Sequence, residues 1–174
     1  MSDSQEQEQK KPSGVYLACY DGSAKSKQVL EYLVEHVRSD ARIYLLGMTE
    51  VTEQYASKAS DAVSGSIAKP SPADAAIDEQ RKERAALASY RLLAARQVLL
   101  DGGLADSNIR ELVLESADVR DTVIETAHKY HADTIVVGSR GHGAVKRAVL
   151  GSLSTHLTHH FDGNVVVCRG PEDA

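Results

Sequence analysis

The stretch TIVVGSRGHG, residues 134–143, joins a β-branched run to a loop that contains three glycines. The apolar run does not alternate with polar residues, which is typical of a strand buried on both faces of a parallel sheet. The segment GSLST, residues 151–155, follows the loop and is predicted to open a helix. A strand, a glycine-rich loop and a helix in this order predict a βα unit whose loop lies at the carboxyl end of the strand, where α/β sheets bind ligands.

Similar strand and helix patterns alternate along the rest of the chain. Short apolar runs predict strands at 15–20, 43–48, 109–114, 134–137 and 165–167. Apolar stripes and strong helix formers predict helices after Ser23, over 74–100, after Asp118 and over 151–161. The pattern predicts an α/β fold with a five-stranded parallel doubly wound sheet, Rossmann-like, with helices on both faces.

Length and composition favour one domain with its own core. The chain has 174 residues, of which 42% are hydrophobic. We expect a disordered tail at residues 1–13, the domain at 14–170, and a flexible insert at 49–72, where periodicity is lost. The first residues lack the apolar run of a signal peptide, which favours a cytoplasmic protein. The net charge of −5 argues against nucleic acid or an anionic membrane as a partner.

The two cysteines, Cys19 and Cys168, each belong to an apolar strand-like run. In the predicted sheet another strand separates them by about 10 Å, whereas a disulfide needs Cα atoms within about 7 Å. We therefore expect two unbonded, buried thiols.

The glycine-rich loop is locally basic although the chain is acidic. From 138 to 161 there is no Asp or Glu, while Arg140, Lys146 and Arg147 add positive charge. The amides of residues 151–153 are predicted at a helix N-terminus, where unpaired N–H groups and the helix dipole favour phosphate. A surface loop with a solvated basic face would show the same glycines and charges, so these features alone leave both interpretations open.

The spacing Gly138-x2-Gly141-x9-Gly151-Ser152 resembles the nucleotide-binding signature of the universal stress protein family. The resemblance covers residues 14–170, because DGS at 21–23, ADTIVVG at 132–138 and VVV at 165–167 also resemble family segments.

Two features depart from the family pattern. Ala117 stands where relatives commonly have a glycine, and residues 49–72 resemble a variable insert beside the adenine pocket.

The resemblance implies a strand order of 3-2-1-4-5 and an ATP site across the ends of strands 1, 2 and 4. Cys19 and Asp21 would flank the adenosine, and Met48 would face the adenine through its main chain. Asp21 would also accept from a ribose hydroxyl or help to hold Mg²⁺ or Mn²⁺ bound with the nucleotide. The residues implied around the ribose and phosphates are Gly138, Ser139, Arg140, Gly141, His142, Gly143, Ala144, Gly151, Ser152, Leu153 and Ser154. ADP and AMP are alternative ligands.

The family resemblance favours a nucleotide-binding sensor or switch without efficient catalysis. The sequence has no P-loop Gly-Lys-Ser/Thr, and we predict no catalytic residue. Two alternatives remain open, namely a protein-interaction module with a vestigial nucleotide site and a slow ATPase or adenylyl-transfer enzyme.

Two further features concern partners and metals. Relatives often dimerise through the last strand, so we expect a homodimer formed through residues 165–168. His156, His159 and His160 fall on one predicted helix, but no carboxylate or thiolate accompanies them, which favours a solvated or interface surface over a zinc site.

Overall fold

The computed structural model describes residues 14–50, 72–139 and 150–169. Five strands form one sheet, and every neighbouring pair is parallel. The strands are β1 (Val15–Cys19), β2 (Arg42–Glu50), β3 (Ile109–Ser116), β4 (Thr134–Gly138) and β5 (Asn164–Cys168). Their order is β3-β2-β1-β4-β5, which confirms the predicted fold class and strand order.

Helices connect these strands and cover both faces of the sheet. In the described parts of the chain they are α1 (Ala24–His36), α2 (Pro72–Asp101), α3 (Val119–Lys129) and α4 (Ser152–His160), with a 3₁₀ turn at Asp106–Asn108. The side chains of Leu33 and Leu92 pack with strand residues such as Ile43 on the face that α1 and α2 cover. Val123 and Leu157 pack with the other face, which α3 and α4 cover. Because the strands are apolar on both faces, the sheet is buried between two helical layers.

Side-chain caps fix where two of these helices begin, as the sequence predicts. The Ser23 hydroxyl accepts a hydrogen bond from the Ser26 amide (3.1 Å) at the start of α1. Asp118 accepts from the amides of Arg120 and Asp121 at the start of α3. Both caps lie at the carboxyl edge of the sheet, because each directly follows a strand.

The strand and helix bounds differ from the sequence prediction by a few residues. β2 continues through Thr49 and Glu50, because these residues pair with Glu115 and Ser116 of β3. α2 begins at Pro72, so both ends of the range predicted as an insert belong to regular elements. Residues 51–71 and the predicted tail at 1–13 lie outside the described residues.

The cysteines are unbonded, as expected, because β4 lies between β1 and β5. Cys168 is buried, whereas Cys19 is only half-buried at the end of β1. None of the described helices is both long and apolar enough to cross a membrane.

Candidate functional site

A cavity of about 920 Å³ opens at the carboxyl ends of β1, β2 and β4. The strand order reverses between β1 and β4, since the chain builds outward from β1 on one side and from β4 on the other. Doubly wound sheets bind ligands in the crevice at such a point. The cavity is therefore the candidate site.

The cavity brings together the predicted site residues that the structure describes. They are Cys19, Asp21, Met48, Gly138, Ser139, Gly151, Ser152, Leu153 and Ser154. The other predicted site residues, Arg140, Gly141, His142, Gly143 and Ala144, lie outside the described residues.

The turn after β1 holds the Asp21 carboxylate at the cavity. Oδ1 of Asp21 accepts a hydrogen bond from the Ser23 amide (2.9 Å), which orients the side chain within the turn. Gly22, the residue between them, has φ +81°, a left-handed conformation that favours glycine. The sequence DGS therefore serves both to turn the chain and to place one carboxylate at the cavity.

Gly138 ends β4 where α1 passes close to the sheet. A Cβ atom added to Gly138 would lie 3.1 Å from the carbonyl oxygen of Lys25 and 3.5 Å from the amide nitrogen of Ser26. Both atoms belong to the backbone of the first turn of α1, so they cannot rotate away. Packing between β4 and α1 thus favours a glycine here, whatever ligand the cavity binds.

Backbone hydrogen bonds tie Ser139, at the end of β4, to β5 and to the start of α4. The Ser139 amide donates to the Cys168 carbonyl (2.8 Å), and the Ser139 carbonyl accepts from the Gly151 amide (2.7 Å). The Gly151 amide, predicted as a phosphate donor, is therefore already committed to the fold. Gly151 has extended backbone angles (φ −77°, ψ 166°), so its conformation does not itself demand glycine.

The first turn of α4 still presents hydrogen-bond donors to the cavity. The amides of Ser152 and Leu153 occupy the first helical positions, where an α-helix provides no backbone acceptor. The Ser152 side chain is exposed, whereas the buried Ser154 hydroxyl donates to the Gly151 carbonyl (3.1 Å). The donors available to an anion are thus the two amides and the Ser152 hydroxyl.

The structure adds a cavity wall that the sequence analysis missed. Arg84, Leu87, Ala88 and Arg91 of α2 line the cavity. Their spacing of three, four and seven residues places them on one face of the helix. This spacing is visible in the sequence, but nothing in the sequence shows that this face of α2 points to the carboxyl edge of the sheet.

The opposite wall comes from the start of α3. Arg120 and the capping Asp118 both line the cavity. Their side chains form an ion pair with N···O 3.2 Å, and both are about half exposed. Hydrogen bonds from Arg120 lower the pKa of Asp118, so the carboxylate is ionised at neutral pH.

Burial and charge tune two groups at the end of β1. Burial, and secondarily the Asp21 carboxylate, raise the pKa of the Cys19 thiol to about 12. The same two causes raise the pKa of Tyr20, while the positive charge of Arg91 acts in the opposite direction. Cys19 is therefore a neutral thiol at physiological pH, suited to packing and unsuited to nucleophilic attack.

His156 of α4 and two glutamates of β3 have structural partners. Nε2 of His156 lies 3.0 Å from Oδ1 of Asp121, which links α4 to α3. Glu111 pairs with Arg96, and Glu115 pairs with Arg81. The described residues contain no group of three or more His, Cys, Asp or Glu side chains that could hold a metal ion.

Comparison with known proteins places this chain in a family. The family model described as "Universal stress protein family" matches residues 16–169. This chain belongs to the universal stress protein family.

A curated relative, a universal stress protein of Mycolicibacterium smegmatis, is 41% identical over 61 residues. The aligned segment covers 35% of this chain and 20% of that relative. This chain therefore spans a minor part of the length of that relative.

Solved structures of other family members share the fold. UspA from Lactobacillus plantarum is 19% identical with a TM-score of 0.66, covering 91% of this chain and 99% of that one. An Arabidopsis thaliana family protein with AMP bound is 20% identical with a TM-score of 0.59, covering 92% and 94%. A universal stress protein from Archaeoglobus fulgidus in complex with dAMP is 15% identical with a TM-score of 0.53, covering 89% and 96%.

Proposed function

We propose that this universal stress protein binds an adenine nucleotide, with ATP as the principal ligand, in the cavity at the carboxyl edge of its sheet. The observation that carries the proposal is the meeting, in one cavity, of the Asp21 carboxylate with the first-turn amides of α4. A carboxylate accepts from ribose hydroxyls, whereas amides at a helix N-terminus donate to phosphate. A cavity of about 920 Å³ falls in the size range of small-molecule sites.

The family relationship supports the same ligand class. The Arabidopsis thaliana protein has AMP bound, and the Archaeoglobus fulgidus protein is in complex with dAMP. Both ligands consist of an adenine base, a sugar and a phosphate. This cavity offers apolar surface for a base, a carboxylate for a sugar and helix N-terminal amides for a phosphate.

Each part of the nucleotide has proposed partners among the described residues. Met48 and Cys19 provide apolar surface for the adenosine, and Asp21 binds the ribose. Ser152 and Leu153 bind phosphate oxygens. Mg²⁺ or Mn²⁺ would neutralise phosphate charge, held by the phosphates and by the Asp21 carboxylate.

We propose a sensor or switch rather than an efficient enzyme. The carboxylates in the described lining are Asp21 and Asp118, and both accept hydrogen bonds from backbone amides. A general base for water attack has to accept a proton from that water. In this proposal Asp21 is engaged with the ribose and the metal, and the ion pair with Arg120 lowers the pKa of Asp118, which makes Asp118 a weaker base. A turnover near 10 per second, an ordinary enzyme rate, in purified protein would contradict this part of the proposal.

The test removes the phosphate donors of one residue and leaves the helix intact. Ser152 is the first residue of α4, where proline is well tolerated, and the extended Gly151 suits the position before a proline. Ser152→Pro deletes the amide and the hydroxyl together, whereas Ser152→Ala deletes the hydroxyl alone. Calorimetric titration of ATP with Mg²⁺ into the wild type and both variants separates the two donors.

We expect ATP to bind the wild type with micromolar affinity and the proline variant at least tenfold more weakly. A hydrogen bond to a charged group contributes about 1.5–3 kcal/mol, and 1.4 kcal/mol corresponds to tenfold. The alanine variant should retain the part of the affinity that the amide provides. Equal affinity of the wild type and Ser152→Pro would remove Ser152 from the site, and a wild type that binds no adenine nucleotide would refute the proposal.

A further inference from the structure

Two of the four arginines of α2 between residues 81 and 96 are committed to neighbouring carboxylates. Arg81 pairs with Glu115, and Arg96 pairs with Asp106 (2.7 Å) and Glu111 (3.1 Å). These pairs fasten the helix to β3 and to the 3₁₀ turn before it. Arg81 and Arg96 therefore have a structural role.

The other two arginines, Arg84 and Arg91, line the cavity instead. Within the described residues neither is in an ion pair, and Arg91 is half-buried whereas Arg84 is exposed. The Arg91 side chain lies over the turn after β1, because a Cβ atom added to Gly22 would be 2.9 Å from its Cδ and 3.0 Å from its Nε. Arg91 therefore packs against the turn that carries Asp21.

The described lining has an excess of positive charge. Its cations are Arg84, Arg91 and Arg120, and its anions are Asp21 and Asp118. The pair between Arg120 and Asp118 cancels locally, which leaves two guanidinium groups facing one carboxylate. An anionic ligand of more than one charge would restore the balance, whereas an uncharged nucleoside would not.

We propose that Arg84 and Arg91 bind the phosphate chain of the nucleotide, so that affinity at this site rises with the number of phosphates. This inference rests on the proposed function for the nucleoside, but the anion-binding role is separable from it. Guanidinium forks donate two parallel hydrogen bonds to phosphate oxygens and stay charged at any physiological pH. Leu87 and Ala88, which lie between the two arginines, are apolar and cannot distinguish ATP from ADP or AMP by the number of phosphates.

The test compares ligands that differ only in phosphate. ATP, ADP, AMP, adenosine and inorganic triphosphate are titrated without metal into the wild type, Arg84→Gln, Arg91→Gln and the double variant. Arg110→Gln is the matched control, because Arg110 is exposed on β3, outside this cavity, and the change removes the same charge. Glutamine removes the charge but keeps part of the aliphatic side chain and an amide group that donates hydrogen bonds.

We expect Arg91→Gln to weaken ATP about tenfold, the exposed Arg84 to matter less, and the double variant to bind ATP little better than AMP. Adenosine should bind all variants within about twofold of the wild type, and Arg110→Gln should leave every affinity within the same range. Adenosine weakened as much as ATP would mean that the arginines stack on the base or support the fold, which overturns the proposal, as would unchanged ATP affinity.

Inorganic triphosphate keeps this proposal distinct from the proposed function. A wild type that binds triphosphate but no nucleotide, with binding lost in the double variant, would sustain the arginine site and refute the adenine-nucleotide function. A wild type that binds none of these ligands would overturn both.

Discussion

Replacing Gly138 by alanine tests whether the first glycine of the signature serves the fold. The added Cβ would lie 3.1 Å from the Lys25 carbonyl oxygen and 3.3 Å from its carbonyl carbon. Such contacts are tighter than ordinary van der Waals separations, and the atoms belong to the backbone of α1. Either α1 or β4 must move by a few tenths of an ångström for alanine to fit.

The net cost combines two opposing effects. Overpacking a well-packed site typically costs about 1–3 kcal/mol. Replacing glycine by alanine also restricts the unfolded chain, which returns about 0.4–1 kcal/mol. The middle of these two ranges gives a loss of about 1–2 kcal/mol in the free energy of unfolding of Gly138→Ala, or a melting temperature lower by roughly 2–8 °C for a chain of this size.

The matched control is Gly47→Ala, a second glycine on the same sheet. A Cβ there would meet Cδ1 of Leu92 at 3.3 Å and Cβ of Ala88 at 3.6 Å, so its closest neighbours are side-chain atoms and not backbone atoms. We expect this variant to stay within about 0.5 kcal/mol of the wild type, because the entropic gain offsets a small repacking cost.

Urea unfolding without nucleotide, followed by far-UV circular dichroism, measures both variants. Gly138→Ala with a free energy of unfolding within 0.5 kcal/mol of the wild type would refute the packing argument. If that stable variant also lost ATP affinity, Gly138 would belong to the ligand site alone.

Two further predictions concern the sheet edge and the Cys19 thiol. Val166→Lys should convert the predicted dimer to a monomer in light scattering, because β5 is an edge strand of the sheet. The control Val113→Lys lies on the other edge strand, β3, and Val113 also packs partly against the core under α1 and α2, so this variant should stay dimeric. The same oligomeric state in both variants would place the interface elsewhere. The pKa of the Cys19 thiol is about 12 in the native state and 9.0 when unperturbed, so the native state holds this proton more tightly than the unfolded chain does. The contribution of the neutral thiol to the free energy of unfolding is therefore complete below pH 9 and falls as the pH rises above 9. At pH 8 its thiolate fraction is lower by about a thousandfold, so a disulfide reagent should label native Cys19 about a thousandfold more slowly than the urea-unfolded chain, and a rate within tenfold would contradict the burial argument.

Strand and helix-cap patterns in the sequence predicted the sheet correctly, because the tertiary structure demands the same residue types at these positions. The run at 134–137 is β-branched, and its residues are buried on both faces of β4, as a central parallel strand requires. Ser23 and Asp118 cap helices in the structure as their sequence context indicates. The end of β2 was harder to predict, since Thr49 and Glu50 have no apolar pattern and extend the strand only through pairing with β3.

The α2 wall could not be predicted, for a physical reason. α2 buries Ala88, Leu92, Ala95 and Leu99 but also exposes Leu87, Tyr90, Leu93 and Val98. With apolar residues on opposite sides, the sequence does not show which side faces the sheet. The position of Arg84 and Arg91 over the cavity depends on that choice, so it follows only from tertiary packing.

The glycines of the signature do not all argue for a ligand with equal force. The close approach of α1 favours glycine at position 138, and the amide of Gly151 is bonded to the Ser139 carbonyl. Both residues would be explained in a protein that binds nothing, because both hold the fold together at the end of β4. The amides of Ser152 and Leu153 and the guanidinium groups of Arg84 and Arg91 have no such role within the described residues. The case for an anionic ligand therefore rests on these groups more than on the glycine spacing, and variants at residues 84, 91 and 152 test it more directly than variants of the glycines.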